Sequence, residues 1–270
     1  MTQTEPTLRQ PIPCAPVIED NPPAIAIANL NFSYPDYANA IEQVNLVVQP
    51  GERIGIVGAN GCGKTTFFLL LCGMLTPTRG TIHLLGQAIR PGTFHTEIGL
   101  VFQNPDDQLF SPTVWEDVAF APQNMGLAPE EVAQRVHTAM ALTQVQDLAP
   151  RPPHHLSGGQ KKRVAIAGVL AMNPEILLLD EPSAQLDPHS RRQLIRLLDS
   201  LPQTQLIATH DLDLALDLCD RTILLSNGQI VYDGDTYAIL SNAELLEQYA
   251  LELPLSYSRP YCQLEHAPVL

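Results

Sequence analysis

Basic residues are scarce in this chain. Its 270 residues hold 15 Lys and Arg against 29 Asp and Glu, a formal net charge of −14. A nucleic-acid surface needs clustered Lys and Arg to meet phosphates, so no nucleic-acid partner is expected. Long apolar runs are missing too. The longest, Phe67–Leu75 and Val164–Met172, fall well short of the ~20 residues a spanning helix needs. No basic stretch followed by an apolar core opens the sequence, so no secretory signal is expected. The five cysteines form no CxxC pair and no zinc spacing, which excludes a disulfide framework and suits a reducing compartment. Cys72 and Cys219 read as small core residues. What is present is a globular composition, 45% hydrophobic and 16% charged, long enough for one large domain or two small ones.

Six prolines within residues 1–23 predict a flexible leader, with order beginning near Ala24. Ile25 to Tyr34 reads as a strand, and Val44, Leu46 and Val48 alternate as a second with one wet face. Five short runs are almost wholly apolar: Ile54–Val57, Gly99–Phe102, Ile176–Leu179, Leu206–Ala208 and Ile223–Leu225. Strands buried on both faces look like this, and they belong to parallel sheets. Helical stretches alternate with them at Lys64–Cys72, Gln160–Met172, His189–Leu201 and Leu212–Cys219, which gives a layered α/β domain. Trp115 to Leu148 carries no strand signal and reads as a helical insertion, about 104–172 in all. Ala243–Leu251 has a short helical look within a tail over 242–270.

Gly58, Ala59, Asn60, Gly61, Cys62, Gly63, Lys64 and Thr65 fit GxxxxGK[ST], with Thr66 opening the helix that follows. An apolar strand precedes the loop, as this motif requires. Glycines let the backbone wrap a polyphosphate and point its amides inward. Lys64 supplies a point charge for the β- and γ-phosphates, and the Thr65 hydroxyl is placed to ligate Mg²⁺. Cys62 lies near a helix N-terminus, which can depress a thiol pKa and make it a site where alkylation blocks nucleotide; the simpler and favoured reading is that any small residue fits there. The run Ile176–Leu179 ends in Asp180 and Glu181, and Pro182 stops it. Carboxylates at the C-terminal end of a central parallel strand face the ligand crevice. Asp180 suits Mg²⁺, and Glu181 suits a general base for water.

Leu156-Ser157-Gly158-Gly159-Gln160, together with these two motifs, resembles the ATP-binding-cassette (ABC) ATPase family, from about Ala24 to about Leu240. The resemblance implies an α/β P-loop ATPase with a parallel sheet, an antiparallel β subdomain and an inserted helical subdomain, over 24–241. It implies ATP and Mg²⁺ as ligands. It also implies that Ser157, Gly158, Gly159 and Gln160 close over the ATP of a second ABC ATPase subunit, identical or related. Gln103 matches the glutamine that contacts Mg²⁺ and water. His210 matches the switch histidine at the γ-phosphate. Ser183 and Asp187 match the D-loop, where Gln185 replaces a usually smaller residue. Tyr34 matches the aromatic that stacks on adenine, with Tyr37 as the alternative. Locally, Ser157 and Gln160 form an S-x-x-Q capping box. Lys161, Lys162 and Arg163 then place cations in the first turn, against the helix dipole. Solvation is the simple expectation for Lys161 and Lys162.

The segment Val101–Phe110 with Thr113–Phe120 is similar to the ATPase subunits of energy-coupling-factor importers, including cobalt and nickel systems; Ala121 stands where a glycine is common. This implies transport through a transmembrane coupling subunit and a substrate-binding membrane subunit, with the ATPase peripheral on the cytoplasmic face of the membrane. Asp106, Asp107, Glu116 and Asp117 are expected to meet basic coupling helices. Another ABC transporter, or a soluble non-transport ABC ATPase, is the alternative.

Overall fold

The five short apolar runs become neighbouring strands of one sheet. A computed structural model describes residues 22–257. In chain order the elements are β1 (Ile25–Tyr34), β2 (Tyr37–Val48), β3 (Arg53–Val57), α1 (Lys64–Leu71), β4 (Arg79–Leu84), β5 (Gln87–Ala88), β6 (Ile98–Val101), α2 (Val114–Asn124), α3 (Pro129–Leu142) and α4 (Gly158–Leu170). Then follow β7 (Ile176–Asp180), α5 (Pro188–Ser200), β8 (Thr204–Ala208), α6 (Leu212–Leu218), β9 (Arg221–Ser226), β10 (Gln229–Asp235), α7 (Thr236–Leu240) and α8 (Ala243–Gln248).

The main sheet runs β10-β9-β3-β8-β7-β6. Every pair in it is parallel except the edge pair β10–β9. β7 shows why its sequence lacks alternation. Leu177 and Leu179 enter the core with α4 and α5, while Ile176 and Leu178 enter the core with α1 and the second sheet. Both faces are dry, and each fully buried Leu or Ile contributes roughly 1.5–3 kcal/mol.

The second sheet, β2-β1-β4-β5, is antiparallel. β2 begins at Tyr37, earlier than the alternation of Val44, Leu46 and Val48 suggests, because its first residues face water and carry no apolar mark. β4 and β10 were not foreseen for the same reason. In β4 only Ile82 and Leu84 are buried, and β10 is a polar edge. From β6 to β7 the chain is helical, with α2, α3 and α4 packing through Val118, Val136, Met140 and Val164.

Residues 242–257 fold back on a third, smaller apolar cluster. Leu245 and Leu246 of α8 join Val57, Leu212 and Leu224. The amides of Leu255 and Ser256 donate to the Asp213 carboxylate at 2.9 and 3.0 Å. The predicted leader lies outside the described residues except for Pro22 and Pro23, as do the last thirteen residues of the predicted tail.

Parallel pairing sets up the site. It brings the C-terminal ends of β3, β6, β7 and β8 to one edge, so the chain segments after Val57, Val101, Asp180 and Ala208 emerge side by side.

Candidate functional site

The turn from β3 into α1 wraps the first part of the site. Gly63 precedes the helix at φ +112°, a left-handed conformation, and a Cβ there would sit 2.7 Å from the Ala40 carbonyl. α1 has no side-chain cap, so its first amides keep their capacity for an anion. Lys64 is buried and donates to the carbonyls of Gly58 at 2.8 Å and Ala59 at 3.3 Å. Thr65 Oγ1 donates to Asp180 Oδ2 at 2.7 Å, which joins the loop to the end of β7. Burial pushes the Asp180 carboxyl up, and the Thr65 hydrogen bond opposes it.

Glu181 follows in a left-handed conformation, φ 45°, and is buried. Its Oε2 accepts from Thr209 Oγ1 at 3.3 Å and from the His210 amide at 3.2 Å, and lies 2.7 Å from His210 Nδ1. Asn60, Gly61, Gly63, Lys64, Thr65, Thr66, Gln103, Asp180, Glu181 and His210 line one cavity of about 290 Å³. All three residues expected to act on the reaction therefore meet the phosphate loop.

A buried carboxylate beside a hydroxyl offers hard oxygen ligands, which fit Mg²⁺. Among the described residues no cluster of three or more His, Cys, Asp or Glu exists that would hold a metal by itself.

Comparison with known proteins agrees with this geometry. The ABC transporter family profile matches residues 41–184, just over half of the chain. The chain belongs to the ABC transporter family. It is an ABC ATPase, an ATP-binding subunit. A Synechocystis chain assigned provisionally as an ABC transporter ATP-binding protein is 53% identical over 87% of this chain and 83% of its own length. The energy-coupling factor transporter ATP-binding protein EcfA of Carboxydothermus hydrogenoformans is 45% identical over 86% of this chain and 88% of its own. Among solved structures, CbiO1 of Clostridium perfringens, part of the ABC transporter complex cbiONQ, matches with a TM-score of 0.75 and 37% identity, covering 84% of this chain and 94% of that one. A dimeric ATP-binding cassette in a post-hydrolysis state, bound to ADP and Pi, matches with a TM-score of 0.69 and 27% identity, covering 78% and 98%.

In this ABC ATPase the Ser157–Gln160 capping box forms as expected. Ser157 Oγ accepts from the Gln160 amide at 3.3 Å, and Gln160 Oε1 accepts from the Ser157 amide at 2.9 Å. None of Ser157, Gly158, Gly159 and Gln160 lines the nucleotide cavity of its own chain. Gly159 has a second reason to be glycine: a Cβ would meet Ser190 Oγ of α5 at 2.6 Å. In the D-loop segment, Asp187 caps α5 and Ser190 holds its carboxyl below the usual range. Ser183 Oγ donates to Asp211 Oδ2 at 3.1 Å. Burial would raise the Asp211 carboxyl, but the paired guanidinium of Arg191 outweighs it and the pKa falls. Tyr34 hydrogen-bonds Thr66 at 3.2 Å and packs edge-on against Phe32, while Tyr37 is more exposed.

Four readings need correction. Cys62 is buried, and burial raises its thiol pKa more than Lys64 lowers it, so the depressed thiol is not found. Lys162 is buried rather than solvated, and Lys161 is paired with Asp106. Cys72 is only partly buried, unlike Cys219. The acidic segment is not a free acidic face. Asp106 binds Lys161, Glu116 closes a capping box with Thr113, and Asp117 Oδ1 accepts from the amides of Phe110 and Ser111. Beside them lies an apolar groove of about 540 Å³, lined by Met74, Phe94, Leu109, Phe110 and Phe120. Sequence reading missed Lys162 and Thr209. Thr209 had a usable signal, since it follows the last residue of β8 and precedes His210.

Proposed function

We propose that this chain is the ATP-hydrolysing subunit of an energy-coupling-factor-type importer. It lies peripherally on the cytoplasmic face of the membrane. Its partners are a second cassette, a transmembrane coupling subunit and a substrate-binding membrane subunit, and cobalt or nickel is the favoured cargo. The observation that carries this reading is the 45% identity to an energy-coupling factor ATPase over 88% of that protein, with likeness to a cbiONQ component beside it.

The reading assigns each side chain a task. The glycine loop, Lys64 and the α1 amides hold the β- and γ-phosphates. Thr65, Asp180 and Gln103 would hold Mg²⁺, which when bound neutralises phosphate charge. Glu181 takes a proton from the attacking water through Oε1, the oxygen left free because Oε2 carries all three protein contacts. His210 is exposed and reaches the γ-phosphate, and Tyr34 stacks on adenine. The exposed signature caps the nucleotide of the paired cassette, so ATP favours the closed pair and hydrolysis reopens it.

The apolar groove receives a segment of the coupling subunit. Phe102, next to Gln103, lines it, and so does Asp117, whose Oδ2 is buried without a hydrogen-bond partner. An apolar segment carrying one donor fits that lining better than the run of basic residues first expected.

The test is to isolate the tagged full chain from native membranes in mild detergent, identify its companions by mass spectrometry, and measure metal and vitamin uptake after deletion. Co-purification with a coupling and a substrate-binding membrane protein is expected. Companions typical of another transporter type, or uptake unchanged for metals and vitamins, would overturn it.

A further inference from the structure

The two lysines after the signature glutamine both turn away from the helix end. Lys161 Nζ lies 2.6 Å from Asp106 Oδ1. Lys162 runs inward, is 2% exposed, and donates to the backbone carbonyls of Phe102 at 3.2 Å and Gln103 at 2.7 Å. Among the described residues no carboxylate lies within ion-pair distance of it. Gln108 ties the far side of the same segment, accepting from the Phe102 amide at 3.3 Å and donating to the Ala165 carbonyl of α4 at 3.3 Å. Burying an ammonium whose hydrogen-bond partners are backbone carbonyls, with the Asp180 and Glu181 carboxylates beyond ion-pair distance but near enough to favour its charge, costs several kcal/mol before its hydrogen bonds are counted. A methionine would fill the same space without that cost, so packing does not explain the lysine.

We propose that Lys162 is a positioning residue for Gln103. It fixes the backbone carbonyl at the point from which the Gln103 side chain enters the nucleotide cavity, and it does so from the helix whose first turn carries the signature. A shift of α4 on meeting the partner cassette's nucleotide then moves Gln103 in this chain's own cavity. The inference rests on the proposed roles of Gln103 and of the signature.

The test uses the full-length chain, measuring steady-state ATP hydrolysis and equilibrium binding of a fluorescent ATP analogue. Lys162→Met keeps the unbranched chain out to Cε and removes the donors. The expected result is a kcat lowered about tenfold or more with analogue Kd moved less than about threefold, the split of a group that places reacting atoms rather than binding substrate. In a Gln103→Ala background the added loss from Lys162→Met should be under about twofold, because the clamp has nothing left to place. The same factor in both backgrounds, as a purely structural lysine would give, overturns the proposal, as does an unchanged kcat. Should Lys162→Met fail to fold, Asp106→Asn decides. It cuts the exposed pair on the same segment, and its expected two- to fivefold loss must also vanish with Gln103→Ala, about as double-mutant cycles require; an equal loss in both backgrounds overturns the proposal. Lys64→Ala with full analogue binding, or Gln103→Ala with full turnover, would instead sink the reading of the cavity, since neither change removes a hydrogen bond of Lys162.

Discussion

Glu181→Gln isolates one oxygen. In the native chain Oε2 holds the Thr209 hydroxyl, the His210 amide and the His210 ring, while Oε1 makes no hydrogen bond among the described residues. A glutamine can keep all three contacts with its carbonyl oxygen. Its amide nitrogen then stands where Oε1 stood, and it cannot accept a proton from water. The substitution therefore leaves the fold and the phosphate cradle in place and removes the base. Loss of a positioned general base costs roughly 10²–10⁴ in rate. At 1.36 kcal/mol per decade that is about 3–5 kcal/mol on the barrier. The assay is paired: phosphate release under saturating Mg-ATP, and binding of the same nucleotide by calorimetry. The expected outcome is the rate loss with affinity changed less than about threefold, an unfolding midpoint within about 2 °C of the parent, and a stable nucleotide-bound dimer in light scattering. A variant that turns over within about tenfold of the parent would remove Glu181 from the role of base. One that loses binding and rate together would show that Oε1 faces the nucleotide in the ground state.

Lys64→Ala should weaken ATP at least about tenfold in calorimetry, since a hydrogen bond to a charged group is worth roughly 1.5–3 kcal/mol. Gly99→Ala should destabilise by roughly 1–3 kcal/mol in urea unfolding, because a Cβ on β6 would overlap the Val169 side chain of α4. Unchanged stability would mean α4 can move aside. Cys62 should alkylate at pH 7.5 several-fold more slowly than a free thiol, as a raised pKa leaves less thiolate. Mass spectrometry of iodoacetamide-treated protein reads the rate, and labelling faster than a cysteine peptide would contradict the burial. Phe110→Asp should leave hydrolysis by the isolated chain within about twofold and abolish recovery of the membrane subunits, since it charges the apolar groove and lines no part of the cavity at the phosphate loop.

The β-strands that were easy to read are those with two dry faces. Ile176–Leu179 announces itself because each side chain has a core to enter. β4 and β10 hide because only one face, or less, is buried, and their residues are chosen by solvent. That the glycine loop, the β7 carboxylates, Gln103 and His210 share one cavity was legible for a different reason. Backbone wrapping forces glycines at fixed spacing, and strand ends must carry the acids, so chemistry writes itself into local sequence. The acidic segment beside the groove reads as a charged face because four acidic residues look alike in a sequence. Only tertiary contacts show that Asp106, Glu116 and Asp117 are spent on Lys161, a helix cap and two amides.

The cations at the start of α4 show how the misreading and the function connect. A helix end meant for an anion should not need lysines turned elsewhere, and side chains in the first turn that oppose the dipole cost roughly 0.3–1 kcal/mol. The structure resolves the conflict by direction. Lys161 and Lys162 point to the segment after β6, so their charge serves that segment, while the Ser157 and Gly158 end of the helix stays exposed. The same turn thus faces two ways: an exposed helix end, which the proposed function gives to the paired cassette's nucleotide, and lysine ammonium groups closed on the loop that carries Gln103. A helix serving only its own cavity would have no use for the exposed end. One serving only a partner would have no use for a buried lysine.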